Sequence, residues 1–348
     1  MRKGAKSFGG DIAGVLTGLL EGRSLTEIQA EQIFGALFRG SLKDGAAKAL
    51  LVLLADKGET AAEIIGCIRA IRDLEPVETV RIPHLMDTCG TGGDRSHSFN
   101  ISTVAALVIA GAGGKVAKHG NHAISSKCGS SDLMIALGVR LDAPKGRMID
   151  AIRRFGIGYF HAPFYHPSFR TVQGLRCSLR TRTIFNYLGP LLNPLKLEAQ
   201  LVGVSRETDV DLYAHVIRRL AQSDALVCHS GDGLDEISTA RSTGYALIRN
   251  KSIRYGKIVP GRCGFNRAKG HDYAGGTARE NARLTLRILT GKRQGPLTDV
   301  IMMNAAAGLM ISGVVKDINS GIRLAKNAIE SGKAMKALNG LIKLSNRK

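Results

Sequence analysis

Apolar residues recur at helical spacing through the first 75 or so residues of the chain. Ile12, Val15, Leu16, Leu19 and Leu20 share one face, Asp11 stands at the N-cap position, and Gly22 ends the segment. Ser24 and Glu27 read as a capping box for a second helix reaching about Phe38. Asp44 to Ala55 is a third. Thr60 and Glu63 open a fourth, ending near Arg72, and Pro76 and Pro83 mark a hinge. Beyond the hinge the pattern changes. Short apolar runs at Leu85–Cys89, Lys115–Ala117, Ile157–His161, Leu201–Val204 and Ala225–His229 read as strands. Val104–Ala112, Asp132–Leu137, Met148–Phe155 and Asp209–Ala221 read as helices between them, and Leu297–Leu344 returns to helix. This alternation predicts an α/β fold: a small N-terminal helical domain over residues 1–78 and a larger α/β domain over 79–348 with a mostly parallel central sheet. A site is expected at the carboxyl ends of the strands, near the domain junction.

Four segments offer chemistry to such a site. Asp87-Thr88-Cys89-Gly90-Thr91-Gly92-Gly93-Asp94 follows a strand and precedes Phe99-Asn100-Ile101-Ser102-Thr103, which opens a helix. Its glycines permit positive φ and close backbone approach, and its amides with the helix N-terminus suit a phosphate. The spacing matches neither the P-loop nor the dinucleotide fingerprint. Lys118-His119-Gly120-Asn121, followed by Ser125 to Ser130, adds a point charge and directional hydrogen bonds. His119 and His122 lack third and fourth ligands for zinc. Gly231-Asp232-Gly233-Leu234-Asp235-Glu236 follows another strand and places hard oxygen ligands suited to Mg²⁺. Arg176 to Pro194 is mostly a structural connection, but Arg176 is a candidate carboxylate binder with His166 as a neighbour.

Composition limits the alternatives. Hydrophobic residues at 44% and charged residues at 22% describe a chain with a sizeable core. The six cysteines lie tens of residues apart with no C-x-x-C pair, so buried thiols in a reducing cytosol are expected, and with them a cytoplasmic location. The basic start at Met1 to Lys6 is interrupted by Gly9-Gly10-Asp11, so no signal peptide is read, and no apolar run reaches about 18 residues, so no membrane span is expected. Asn250-Lys251-Ser252 and Asn100-Ile101-Ser102 are treated as accidental sequons. The net charge of +20 is partly local: Arg241 to Gly295 carries 13 Lys/Arg against Asp272 and Glu280. Such a field attracts anionic metabolites first; nucleic acid comes second, because aromatic residues are not interleaved with the basic ones.

The four segments in this order, with Lys57-Gly58-Glu59-Thr60, Glu280-Asn281-Ala282 and Asn304-Ala305-Ala306-Ala307, resemble the anthranilate phosphoribosyltransferase family over nearly the whole chain. The resemblance implies the fold shared with pyrimidine nucleoside phosphorylases, with residues from about 177–195 contributing to the helical domain, and a homodimer formed through that domain. It implies phosphoribosyl pyrophosphate and anthranilate as substrates, Mg²⁺ as cofactor and a place in tryptophan biosynthesis. Gly90, Gly93, Asp94, Ser98, Asn100, Ile101, Ser102, Thr103, Lys118, His119, Gly120, Asn121, His122, Ala123, Ile124, Ser125, Ser126 and Ser130 fall on phosphoribosyl-pyrophosphate positions. Gly90, Asn121 and Arg176 fall on anthranilate positions, and Ser102, Asp235 and Glu236 on Mg²⁺ positions. No side chain is implied as an acid, base or nucleophile; positioning and the metal carry the reaction. His122 replaces an Arg usual in the family, Ile135 replaces a Glu, and His161 stands at a position more often apolar. The competing readings are a non-enzymatic, nucleic-acid-binding paralogue, a transferase for a related aromatic acceptor, and a nucleoside phosphorylase using phosphate and a pyrimidine.

Overall fold

The computed structural model describes residues 11–94, 96–123, 127–179, 181–220 and 223–347. The N-terminal bundle comprises α1 (Ile12–Leu20), α2 (Glu27–Phe38), α3 (Asp44–Lys57) and α4 (Ala61–Leu74). The capping box of α2 is Thr26 with Gln29 rather than Ser24 with Glu27: Gln29 N donates to Thr26 Oγ1 at 3.3 Å and Thr26 N to Gln29 Oε1 at 3.0 Å. Two overlapping S/T-x-x-E/Q patterns compete here. The later one wins because Leu25 is buried and its amide is tied to Glu63 Oε1 at 2.9 Å, which holds residue 25 outside the helix. Glu63 is itself fully buried and also accepts from Thr60 N at 2.8 Å and Lys57 Nζ at 3.1 Å, so the box that opens α4 also fastens α2 and α3 to it. Asp11 occupies the N-cap of α1 without a side-chain capping bond.

After the hinge the chain forms β1 (Leu85–Gly90), α5 (Ile101–Gly111), β2 (Lys115–Gly120), α6 (Ser130–Ala136), α7 (Lys145–Phe155) and β3 (Ile157–His161). Next come α8 (Ala162–Tyr165), α9 (Phe169–Leu179), α10 (Phe185–Leu188), β4 (Ala199–Gly203), α11 (Thr208–Leu220) and β5 (Asp224–Ser230). A hairpin, β6 (Thr243–Arg249) and β7 (Ser252–Ile258), precedes α12 (Ala278–Leu289), α13 (Pro296–Ile311), α14 (Ile318–Glu330) and α15 (Lys333–Ser345). The strands make one sheet in the order β3-β2-β1-β4-β5-β6-β7. The first five are mutually parallel, and β6 and β7 are antiparallel.

Residues on successive strand positions feed opposite cores. Leu201, Leu226 and Cys228 join the larger cluster with α5, α7, α13, α14 and α15. Val202, Val227 and Ala246 join the second cluster with α1 to α4, α10 and α11. Burial on both faces is why these strands read as continuous apolar runs. The Ile184–Leu192 stretch packs into the same core as the bundle. The β6–β7 hairpin lacks a recognisable turn signature in the sequence. Its loop is Asn250-Lys251, both at positive φ (49° and 63°), rather than the easily recognised Asn-Gly. Exposed Arg254 and Lys257 on β7 keep this edge from pairing with other strands, which accounts for part of the basic block. Among the described residues no helix is long and apolar enough to cross a membrane.

Candidate active site

The chain runs outward from β1 through β2 to β3, then returns so that β4 pairs on the other side of β1. The crevice at the carboxyl ends of β1 and β4 is therefore the switch point where ligands bind in open α/β sheets. The terminal residues of these strands, Gly90 and Gly203, pair with each other. A Cβ on Gly90 would stand 2.6 Å from Asp235 Oδ2, and one on Gly203 would stand 1.4 Å from the Asp235 carbonyl oxygen. Only bare backbone lets the segment after β5 fold across both strand ends.

The glycine turn and the acidic segment are thus in contact. Gly92 and Gly93 continue at φ 66° and 80°. Gly92 N donates to Asp235 Oδ2 at 2.9 Å, and Asp235 N reaches Asp94 Oδ2 at 3.4 Å. Ser102 N, in the first turn of α5, donates to Glu236 Oε1 at 2.8 Å. Burial, aided by the charge of Asp94, lifts the Asp235 carboxyl to about 7. Glu236 is also raised, by burial and then by the charge of Asp235. Its Oε2 is shut from solvent with no hydrogen-bond partner. Two crowded carboxylates with an unused oxygen form an environment short of positive charge, and a hard divalent cation fits it. Among the described residues no three His, Cys, Asp or Glu side chains form a complete cage.

The β2 loop forms the second wall. Lys118 and His119 are buried, and Lys118 Nζ donates to the His119 carbonyl at 2.8 Å. Asp87 on β1 lies under the same loop, accepting from His119 N at 3.3 Å and Asn193 Nδ2 at 3.0 Å. The His119 ring faces the Gly189 carbonyl, 3.0 Å from Nδ1; its burial lowers its basicity well below that of a free histidine. Gly120 has no room for a side chain, since a Cβ would meet Ser130 Oγ at 2.2 Å. Asn121 N donates to Ser130 Oγ at 3.1 Å, and His122 N to Asn121 Oδ1 at 2.7 Å. Asp132 accepts from Ala123 N and Gly129 N at 3.0 and 2.8 Å, so it holds these two backbone positions together. The candidates Ile124, Ser125 and Ser126 lie outside the described residues. His122 Nδ1 stands 2.6 Å from Asp132 Oδ1, and its ring meets that of His161 edge-on at 4.9 Å.

Other candidates have different situations. Ile101 and Thr103 are buried, and Ile101 N donates to the Phe99 carbonyl at 2.7 Å. Asn100 Nδ2 donates to the Cys128 carbonyl at 3.0 Å, which ties the β1 and β2 loops together. Ser98 bridges to Ala274. Arg176, on α9, lies over the rings of Phe185 and Phe169 at 5.4 and 6.0 Å. His166 is buried and held by Glu75 Oε2 at 2.7 Å.

Three supports carry roles that sequence reasoning did not assign. Asn281 on α12 donates to Asn100 Oδ1 at 2.9 Å and accepts from Gly276 N at 2.8 Å. Asn304 on α13 accepts from Ile237 N at 3.0 Å and donates to the Ile237 carbonyl at 2.7 Å, which clamps the backbone next to Glu236. Arg182 approaches the glycine loop, its Nη1 being 3.9 Å from where a Gly93 Cβ would stand, and pairs with Asp209 at 3.2 Å. Asn in a helix interior, at positions 281 and 304, was the available signal, because such a residue needs a partner when buried.

Residues 14–74 match the helical bundle domain of the glycosyl transferase family and residues 82–335 match its a/b domain. The fold and the site thus define a glycosyl transferase of this two-domain kind. The anthranilate phosphoribosyltransferase of Symbiobacterium thermophilum is 42% identical over 340 residues, covering 96% of this chain and 97% of the relative. That of Desulfosudis oleivorans is 40% identical over 330 residues, covering 95% and 97%. Among solved structures, the anthranilate phosphoribosyltransferase of Thermus thermophilus superposes with a TM-score of 0.89 at 36% identity, covering 95% of this chain and 99% of that one. The Saccharomyces cerevisiae enzyme in complex with PRPP and Mg gives 0.88 at 25% identity, covering 96% and 97%. The chain belongs to the anthranilate phosphoribosyltransferase family.

Proposed function

We propose that this chain transfers the 5-phosphoribosyl group from phosphoribosyl pyrophosphate to the amine of anthranilate, releasing pyrophosphate, in tryptophan biosynthesis. The observation that carries this reading is the meeting of the glycine turn, the β2 loop and the Asp235–Glu236 segment at one switch point, in a chain about 40% identical to transferases of that name along its length. In the reaction the amine nitrogen bonds to the anomeric carbon of the ribose as the bond from that carbon to the diphosphate oxygen breaks. Negative charge builds on the leaving group and the amine sheds a proton. A neutral aromatic amine already carries its lone pair, so positioning supplies most of the acceleration.

In this reading Gly90, Gly93, Asp94, Ser98, the run Asn100 to Thr103, the run Lys118 to Ser126, and Ser130 hold phosphoribosyl pyrophosphate. Backbone amides of the turn and of the α5 N-terminus face its phosphates, while Lys118 adds charge from beneath. Asn121, Arg176 and Gly90 hold anthranilate, with the Arg176 guanidinium on its carboxylate. Asp235, Glu236 and Ser102 hold Mg²⁺, which when bound supplies charge neutralisation for the departing diphosphate. The boundary between the domains is taken to fall after residue 78. Exposed Leu20, Ile28 and Val52 on α1, α2 and α3 support a homodimer through the bundle, and the enzyme is placed in the cytoplasm.

The test is steady-state fluorescence of anthranilate with purified protein, phosphoribosyl pyrophosphate and Mg²⁺. The signal should fall with time and should not fall without phosphoribosyl pyrophosphate. A folded protein that leaves anthranilate intact but consumes a related aromatic amine would overturn the choice of acceptor. Tight, steeply salt-dependent binding of single-stranded DNA by a protein inactive on every amine would favour the nucleic-acid reading instead.

A further inference from the structure

Between the bundle and the sheet lies a cavity of about 240 Å³ that none of the roles above uses. It is walled by the end of α4, the hinge, the first residue of α7, the turn between α8 and α9, and residues 192–194. Its polar character is cationic. Arg72 donates from Nη2 to the Leu191 carbonyl at 3.2 Å, while its Nε is shut from solvent with no acceptor. Burial of that guanidinium lowers its basicity to about 10. His166, also on the wall, has a buried Nε2 with no partner. Lys145 pairs with Glu78 at a loose 3.4 Å, and the first turn of α7 carries no acidic residue and no side-chain cap. The one carboxylate on the wall, Glu75, is engaged on both oxygens, by His166 Nδ1 and Ser168 N, each at 2.7 Å. A half-buried guanidinium whose Nε is shut from solvent with no acceptor, and with no anion beside it, is an arrangement that a ligand carboxylate would relieve.

Apart from Asn193, whose amide already donates to Asp87 and to the Ala117 carbonyl, the rest of the lining is mainly apolar, including Ile71, Val77, Tyr165 and Leu192. A bare phosphate would set its oxygens against these walls, whereas an aromatic or branched aliphatic body would cover them. We propose that this hinge cavity binds a small monocarboxylate with an aromatic or branched aliphatic group, its carboxylate held between Arg72 and Lys145. Arg176 is not among the cavity walls, so the site is separate from the one assigned to the acceptor. A ligand here ties bundle to sheet across the hinge. It also borders the β2 loop, because the His166 ring stands edge-on to that of His119 at 5.2 Å.

The probe is 4-bromobenzoate, soaked into crystals of the full chain, with the bromine located by anomalous scattering. Calorimetric titrations compare the wild type with Arg72→Met and Lys145→Met, all in an Arg176→Met background that disables the proposed acceptor site. Bromine is expected in the hinge cavity, with affinity at least tenfold weaker in Arg72→Met and several-fold weaker in Lys145→Met. Inorganic phosphate is expected not to compete. An empty cavity at saturating probe, unchanged affinity in the variants, or equal occupancy by phosphate would each overturn the proposal. If Arg72→Met does not fold, the more exposed Lys145→Met decides. Turnover of anthranilate is not read, so failure here leaves the transferase reading standing, and failure of that reading leaves this one standing.

Discussion

Gly203→Ala is the most direct probe of how the acidic pair is held. The new Cβ would lie 1.4 Å from the Asp235 carbonyl oxygen, where real Cβ atoms essentially never come within 3.0 Å. Backbone of the Asp235 segment must therefore retreat by more than about 1.5 Å, since the obstacle is not a flexible side-chain end. Gly92 N to Asp235 Oδ2 and Ser102 N to Glu236 Oε1 are the bonds that this movement breaks. Misplacement by about 1 Å costs roughly 10²-fold in rate, or about 2.7 kcal/mol of transition-state stabilisation. Overpacking adds about 1–3 kcal/mol of destabilisation. The assay is anthranilate fluorescence for kcat/KM, with urea unfolding in parallel. A fall of at least about 10²-fold in kcat/KM in a folded variant is expected. Gly45→Ala, in a helix with open space at the Cβ, should leave activity unchanged. Wild-type activity in folded Gly203→Ala would refute the argument that the glycine pair seats the acidic segment.

Further expectations concern charge, clamping and the hairpin. The raised Asp235 carboxyl binds a proton in the metal-free fold that the unfolded chain releases near 3.8, so its contribution to stability is full below that value and lost as pH rises through about 7. Metal-free protein should therefore have a lower Tm at pH 8 than at pH 6, with Mg²⁺ restoring more at pH 8. Asp235→Asn should reduce that difference, the raised Glu236 carboxyl accounting for what is left, as calorimetry would show. Asn304→Ala strands the buried amide and carbonyl of Ile237 and should cost about 1–3 kcal/mol in urea unfolding while weakening Mg²⁺ dependence of activity. Lys251→Gly relieves a left-handed non-glycine residue in the hairpin loop and should stabilise the protein by about 1 kcal/mol with no change in kcat.

Much of the fold was legible because its signals are local. The Thr60–Glu63 box, the strand at Ile157–His161 and the turn of glycines after β1 depend on neighbours within a few residues. The β6–β7 hairpin was not legible, because tertiary packing of Thr243, Ala246 and Ile248 overrides a loop lacking glycine and a strand rich in charge. For the same reason Ser24 drew attention that belonged to Thr26: the deciding contact, Leu25 with Glu63, spans 38 residues. At the site, polar residues on loops stood out, while their supports did not. Gly203 ends a strand without any turn signature, and Asn281 and Asn304 are single polar residues inside helices. Their importance comes from what distant segments bring against them, which spacing along the chain does not encode.

The proposed transfer requires a diphosphate held jointly by the glycine turn and, through a divalent ion, by the acidic pair. Calorimetric titration of phosphoribosyl pyrophosphate tests this directly, in Mg²⁺ and in EDTA, with wild type and with Asp235→Asn, Glu236→Gln. Binding at least tenfold tighter in Mg²⁺ for the wild type, with that advantage lost in the double variant, is the expected result. Equal affinity in EDTA, or a double variant that keeps the full Mg²⁺ advantage, would contradict it.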